Sequence, residues 1–395
     1  MISISEAIQT LKSHLPSWEK RKSQRTSLME ALGSVIATDC IAEVSHPSGD
    51  QSAMDGYTFH SQDIKQIHTP LKIQGSIHAG DFVSPSLEKN SCLKIMTGGL
   101  IPQGADTVIP IEDIVEKEGF VFLKKMTPKG SHIRPEGDDF SKGDCILSRG
   151  TLINPGKMAL LKAAGIEHIS LIQKPTITLL TTGHEIVPSL GEWKKGTCID
   201  SNGPFLTSSL QEIGIKPLET KHLPDDREVL QKSIQQALEK SDIVILTGGV
   251  SMGDADFVRP VLEELEVKTL FWKVNQKPGK PLYAGEKNGK IIFGLPGNPY
   301  AVFVCWHVYV KPFIQEWMGI RESLQDPKDW ETVEYFYTKK DTKAYFLKAS
   351  FDRKTKKLDL FKAQGSHQLK PLADINVLAF ASEDEKIERM GLLFL

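Results

Sequence analysis

Apolar residues recur along this chain at helical spacing in some regions and in short strand-like runs in others, and the alternation marks out its parts. Ile4, Ala7, Ile8, Leu11 and Leu15 lie three or four apart, and Ser3 with Glu6 has capping-box spacing, so a helix is predicted near the start. A second such signal, Ser27 with Glu30, predicts a helix over LMEALG that stops at Gly33 before the apolar, β-branched run SVIATDCIAEV. From about Asp50 to Ser148 the runs LKIQGSI, SCLKIM, DTVIPIEDIV and GFVFLKK alternate with Gly, Pro and Asn, which predicts a β-rich module. Near Lys174 the texture changes. PTITLLTTG and DIVILTGG read as buried strands, and GPFLTSSLQEIG, REVLQKSIQQALEKS and FVRPVLEELE read as helices between and after them. That alternation predicts a parallel, doubly wound sheet with helices on both faces. After Pro312, ETVEYFYTKK, AYFLKASFD and KLDLFKAQGS predict a small terminal β domain.

The expected fold class is therefore multidomain α/β plus β. Its parts are an N-terminal helical and linking domain (1–48 with 149–173), a β-rich inserted module (49–148), a central doubly wound α/β domain (174–320) and a C-terminal β domain (321–395). A length of 395 residues agrees with several domains. A net charge of -2 supplies no global field for nucleic acid or an anionic membrane, so any anion site must be local. The five cysteines, Cys40, Cys92, Cys145, Cys198 and Cys305, are scattered and form no zinc-like spacing, which points to reduced thiols. The first residues lack the basic stretch and apolar run of a signal peptide, and no window approaches a membrane span. A cytoplasmic protein is expected.

Ligands of doubly wound sheets gather at the carboxyl ends of the strands, where TTGHEIV and TGGVSMGDADF fall in this chain. The second loop offers backbone N–H groups from Gly248, Gly249 and Ser251, and it carries Asp254 and Asp256. Acids there complement a helix dipole, or they hold a divalent cation against a phosphate, since Mg2+ favours one or two carboxylates with phosphate oxygens and water. No Walker A spacing is present. Lys273, Lys277 and Lys280 stand close together on a segment stiffened by Pro278 and Pro281, which reads either as a solvated face or as an oxyanion site. Pro296, Gly297, Asn298 and Pro299 precede an apolar helix, a common start device. In SAMDGYTF, Asp55 reads as an Asx-turn closed by Gly56 or as a functional carboxylate.

The pieces SAMDGY, TGGLIPQGADTVIPIED, IRPEGDDFSKGD, TTGHEIV, DSNGPFL, PDDREVL, TGGVSMGDADF, KPGKPL, GLPGNP and QGS, in this order, closely resemble the molybdopterin molybdenumtransferases of the bacterial MoeA type, to which the gephyrin E domain belongs. The resemblance implies a MoaB/Mog-like molybdopterin-binding α/β domain, the β-rich inserted module and a small C-terminal β-barrel-like domain. It also implies a transferase that inserts molybdate into the dithiolene of adenylylated molybdopterin, releases AMP and requires Mg2+. By the same resemblance, Asp55, Thr97, Glu185, Asp225 and Asp256 belong to the substrate and cation region, with Glu185, Asp225 and Asp256 toward the metal. Gly248, Gly249, Ser251, Lys273, Lys277, Pro296, Pro299, Lys348 and Ser366 fall on the substrate and oxyanion side. The implied partners are a second copy in an elongated homodimer, the β-rich module of one chain facing the site of the other, and the molybdopterin adenylyltransferase. No nucleic acid or membrane partner is implied.

Two positions depart from the family pattern. His184 stands where an aspartate is usual in the TTGHE segment, replacing a permanent anion by a group that titrates near neutrality. Lys348 stands where the end domain usually has arginine, keeping the charge and losing the bidentate fork. A dimeric scaffold like the gephyrin E domain, or a relative that binds substrate without efficient turnover, are the alternatives to an active transferase.

Overall fold

The computed structural model describes residues 1–81, 86–249, 257–339 and 341–395. The chain divides into two compact units, one formed by Met1–Gln24, Gly33–Val35 and Ile172–Leu395, the other by Arg25–Leu32 and Ile36–Leu171.

The second unit contains the β-rich module. Its six-stranded sheet runs in the order Thr107–Pro110, Gly56–Phe59, Ser91–Ile95, Leu71–Ile77, Phe120–Leu123, Ile114–Lys117. Gly56–Phe59 is buried on both faces, which its uninterrupted small and aromatic residues allow. Tyr57, Phe59, Leu71, Cys92, Ile109 and Val121 fill one cluster, and Ile77, Leu93, Ile95 and Val108 fill another. The same unit holds the helix Pro155–Ala163, started by Pro155 at its first position and capped by Asn154, whose Oδ1 accepts from the Lys157 N–H. The helix expected from Ser27 and Glu30 is a single 3-10 turn, Leu28–Glu30. Glu30 accepts instead from the Thr26 hydroxyl at 2.7 Å, so the reciprocal half of a capping box is not made.

In the first unit, the capping box at Ser3 forms in both directions and starts the helix Ile4–Ser13. That helix packs Ile4, Ala7, Ile8 and Leu11 against the α/β sheet. The sheet order is Glu219–Leu223, Ile177–Thr182, Ile243–Thr247, Lys290–Leu295, Tyr283–Lys287, Lys268–Trp272. Alternate residues of its buried strands feed two cores. Ile177, Leu179, Ile243, Ile245, Ile291 and Phe293 pack on one face, and Leu180, Val244, Leu246 and Ile292 pack on the other beneath the helices Arg227–Lys240 and Val258–Glu264. Each large aliphatic side chain removed from water here contributes about 1.5–3 kcal/mol.

The first four strands are parallel, as the sequence predicts, whereas the last two are antiparallel. Asn288 and Gly289, with φ of 53° and 78°, close Tyr283–Lys287 and Lys290–Leu295 into a two-residue hairpin. The helix after GLPGNP runs Pro299–Cys305, widens into a π turn over Trp306–Val310 and resumes over Lys311–Trp317. Pro312 adjoins the widened turn and has no N–H to return to the fourth residue back.

The C-terminal strands form a further sheet in the order Gln276–Lys277, Ala344–Asp352, Val377–Ala381, Lys386–Phe394, Glu331–Thr338, with Lys357–Leu360 paired to Ala344–Asp352. Gln276–Lys277 leaves the α/β domain to join this sheet, pairing with Ala344 and Tyr345, and so ties the KPGKP segment to the terminal β domain. Among the described residues, no helix is long and apolar enough to cross a membrane.

Candidate functional site

The carboxyl ends of Ile177–Thr182, Ile243–Thr247 and Lys290–Leu295 open on a cleft of about 620 Å³. Its wall includes Thr182, Glu185, Asp200, Asn202, Asp225, Gly248, Gly249, Pro296 and Pro299. Glu185, Asp225, Gly248, Gly249, Pro296 and Pro299, expected from the sequence at the site, all line this one cleft. Ser251, Asp254 and Asp256 lie outside the described residues.

Glycine is required at the floor. Gly248 has φ +94°, and a Cβ there would sit 2.3 Å from the Thr182 carbonyl oxygen. Gly249 has φ +63°, and its Cβ would meet Val258 Cγ2 at 2.7 Å. Both positions need left-handed backbone and close approach together, which only glycine supplies without strain. Asp225 fixes the neighbouring loop. Its Oδ1 accepts from the Thr182 hydroxyl at 2.6 Å, and its Oδ2 accepts from the His184 main-chain N–H at 2.7 Å. The contact at position 184 is therefore a main-chain one that any residue but proline can make. The His184 ring and the Glu185 carboxylate are both exposed.

Asp200 and Asn202, which the sequence does not single out, line the same cleft. Asp200 Oδ1 accepts from the N–H groups of Asn202 and Gly203, both at 3.0 Å, at the start of the helix Asn202–Glu212. Asn202 Nδ2 donates to Gly297 O at 2.8 Å and Thr247 Oγ1 at 3.1 Å, and the Thr247 hydroxyl donates to Pro296 O. One side chain thereby joins the end of Ile243–Thr247 to the GLPGNP turn. The signal is present in DSNGP, an acid two residues before a helix start.

A second cleft of about 550 Å³ adjoins the first and shares Pro281, Pro296 and Asn298 with it. Lys277, Lys280, Lys343, Tyr345, Gln364 and Ser366 are among its lining. Lys277 Nζ stands 5.0 Å from the centroid of the Tyr345 ring. Lys273 is not in either lining among the described residues. Its backbone is left-handed, with φ 69°, and its ammonium lies over Trp272 at 3.9 Å.

Lys348 does not present its charge to solvent. It is fully buried, and its Nζ donates to Ala363 O at 3.1 Å and Gly365 O at 2.8 Å and lies 4.2 Å from the Tyr300 ring centroid. Burial lowers its pKa. The expected direct anion contact is replaced by a contact to the segment that carries Ser366.

In the β-rich unit, Asp55 and Thr97 are partners. Asp55 Oδ1 accepts from both the N–H and the hydroxyl of Thr97, each at 2.7 Å. Those two bonds, the main-chain one foremost, lower the pKa of the exposed carboxyl. The Asx-turn reading is therefore corrected, because the carboxylate braces a residue far along the chain instead of its own turn. Gly56 is needed for space. A Cβ at that position would lie 1.9 Å from Ile109 O, in the neighbouring strand.

Residues 2–165 match the family described as "MoeA N-terminal region (domain I and II)", and residues 178–316 match "Probable molybdopterin binding domain". The chain is 32% identical to a molybdopterin molybdenumtransferase of Staphylococcus epidermidis over 325 residues, 81% of this chain and 77% of that protein. It is 31% identical to one of Haemophilus influenzae over 337 residues, 85% of this chain and 81% of that protein. The crystal structure of a molybdopterin biosynthesis MoeA protein from Pyrococcus horikoshii superposes with a TM-score of 0.81 at 25% identity, covering 100% of this chain and 98% of that one.

Proposed function

This chain belongs to the molybdopterin molybdenumtransferase family, enzymes of molybdenum cofactor biosynthesis, and we propose that it inserts molybdate into the dithiolene of adenylylated molybdopterin with release of AMP. The observation that carries this reading is the pair of adjoining clefts, one lined by carboxylates over a glycine floor, the other by lysines and a serine, meeting at Pro281, Pro296 and Asn298. A pyrophosphate-linked substrate calls for carboxylates and a cation. A tetrahedral dianion calls for ammonium, hydroxyl and N–H donors. The two needs fall side by side.

Mg2+ fits the residues on the first cleft. Among the described residues no group of three or more His, Cys, Asp or Glu is placed to hold a metal ion. Mg2+ characteristically takes one or two carboxylates and completes its shell with phosphate oxygens and water. Glu185 and Asp225 would hold it, since each Asp225 oxygen keeps a lone pair beyond the hydrogen bond it accepts. The cation would neutralise charge on the phosphates. Asp200 orients the start of Asn202–Glu212, and Asn202 keeps the Pro296–Asn298 turn against Thr247.

Lys277 and Ser366 would receive molybdate, with dithiolene sulfur supplied by the substrate, so no protein cysteine is required. In this reading the protein is a cytoplasmic homodimer supplied by the molybdopterin adenylyltransferase, and Asp55 with Thr97 from a second copy completes the site. The test is AMP release from adenylylated molybdopterin by the purified full chain, with molybdate and Mg2+ each omitted in turn, and with Glu185→Gln beside the wild type. AMP release that needs both additions and falls in the variant supports the proposal. Substrate binding without any AMP release would leave a scaffold or an inactive relative and overturn it.

A further inference from the structure

A buried lysine is costly unless its charge is compensated, and Lys348 is compensated in an unusual way. It is 0% exposed, and among the described residues it pairs with no carboxylate. Its partners are two main-chain carbonyls, Ala363 and Gly365, and the face of Tyr300. Its own main chain is locked to the same segment. The Lys348 N–H donates to Gln364 Oε1 at 2.9 Å, and Gln364 Nε2 donates back to Lys348 O at 2.9 Å. The Ser366 carbonyl accepts from the Tyr300 N–H at 3.0 Å, and the Gly365 carbonyl also accepts from the Gln368 N–H at 3.1 Å.

The consequence falls on the Gly365–Ser366 peptide. In a planar trans peptide the C=O and N–H point opposite ways. With the Gly365 carbonyl drawn to the ammonium, the Ser366 N–H is directed away from Lys348. Among the described residues, neither that N–H nor the Ser366 hydroxyl has a hydrogen-bond partner, although Ser366 lines the second cleft. Two unused donors on one cleft residue form a receptor for an oxyanion.

We infer that Lys348 is a positioning residue: its ammonium holds the Ala363 and Gly365 carbonyls and thereby keeps the Ser366 N–H and hydroxyl available to receive a tetrahedral oxyanion, which Lys348 itself does not touch. The inference rests on the molybdate reading of this cleft. It separates the lysine from the site's direct ligands and makes the anion contact a main-chain and hydroxyl one.

The test combines molybdate binding, measured by equilibrium dialysis on the full chain, with hydrogen exchange over residues 362–368. Lys348→Met removes the ammonium at similar length, and Lys348→Gln keeps one donor should the methionine variant fail to fold. Loss of the brace or of the Ser366 hydroxyl is expected to weaken binding roughly tenfold in each single variant. Combined with Ser366→Ala, Lys348→Met is expected to cost no more than the weaker-binding single variant, because both act through one receptor. Exchange over 362–368 is expected to quicken in Lys348→Met. Additive losses, roughly a hundredfold in the double variant, would mean that the lysine touches the anion and would overturn the inference. Unchanged exchange would overturn it as well. A wild-type protein that binds no molybdate while the variant still shows faster exchange would sink the proposed function and leave the bracing role standing.

Discussion

Replacing Gly248 by alanine tests whether the cleft floor depends on glycine for conformation, for space, or for both. Left-handed backbone costs a residue with a Cβ about 1–2 kcal/mol. The added methyl would lie 2.3 Å from Thr182 O, about 1 Å inside ordinary contact. Thr182 cannot easily withdraw, since its strand is paired on both sides and its hydroxyl is held by Asp225. Overpacking of that kind costs about 1–3 kcal/mol more, for a total of about 2–5 kcal/mol. Two other glycines separate the contributions. Gly196 has φ +101°, and a methyl added there would meet nothing within 4 Å, so Gly196→Ala reports the backbone cost alone. Gly297 lacks a positive φ and its nearest neighbour is 3.9 Å away, so Gly297→Ala is expected to change stability by under about 0.5 kcal/mol. All six tryptophans fall in the unit that contains this cleft, so urea unfolding followed by tryptophan fluorescence reads that unit directly. A Gly248→Ala protein as stable as Gly297→Ala would show that the cleft floor needs glycine neither for conformation nor for space.

Two pH effects follow from the hydrogen bonds and burial. The Asp55 carboxyl, held low by the Thr97 N–H and hydroxyl, contributes stability above the unfolded aspartate pKa and loses it as pH falls through the lower folded value. NMR titration should find its midpoint below that of an ordinary aspartate, and Thr97→Val should raise it; an unmoved midpoint would remove the brace from the account. His307, half-buried beside Phe303 and Phe205 with Nδ1 donating to Phe303 O, has its pKa pushed down by desolvation to about 4. The unfolded chain therefore binds the proton first. Stability present above pH ~6.5 declines as pH falls toward about 4, by roughly 3 kcal/mol, and His307→Phe should flatten that decline in urea midpoints measured across the range.

Much of the fold is legible because it is written locally. The Ser3 and Glu6 pair, the apolar strands ITLLTT and IVILT, and the spacing of Leu230, Ser233, Ile234, Ala237 and Leu238 each carry their own period, and each forms the element expected. The antiparallel edge departs from the expected all-parallel sheet. Alternation of strands with helices predicts only parallel neighbours, and the local signal that overrides it is Asn288-Gly289, a hairpin turn between YAGEK and KIIFGL. Of the site, the sequence determines residue types and their order: acids after one strand, glycines after another, lysines between prolines, and a serine near the end.

Only the tertiary structure decides what each of those groups touches. Asp55 meets Thr97, Asp225 meets the Thr182 hydroxyl and the His184 N–H, and Asn202 reaches Gly297, each across dozens of residues. Spacing along a chain carries no information about such pairs, because a hydrogen bond depends on position in space within a few tenths of an ångström. Lys348 is the sharpest case. Its sequence context is a positive charge in an apolar strand, and the packing of Tyr300 over it and of Ala363 and Gly365 around it turns that charge inward, away from the cleft it was expected to line.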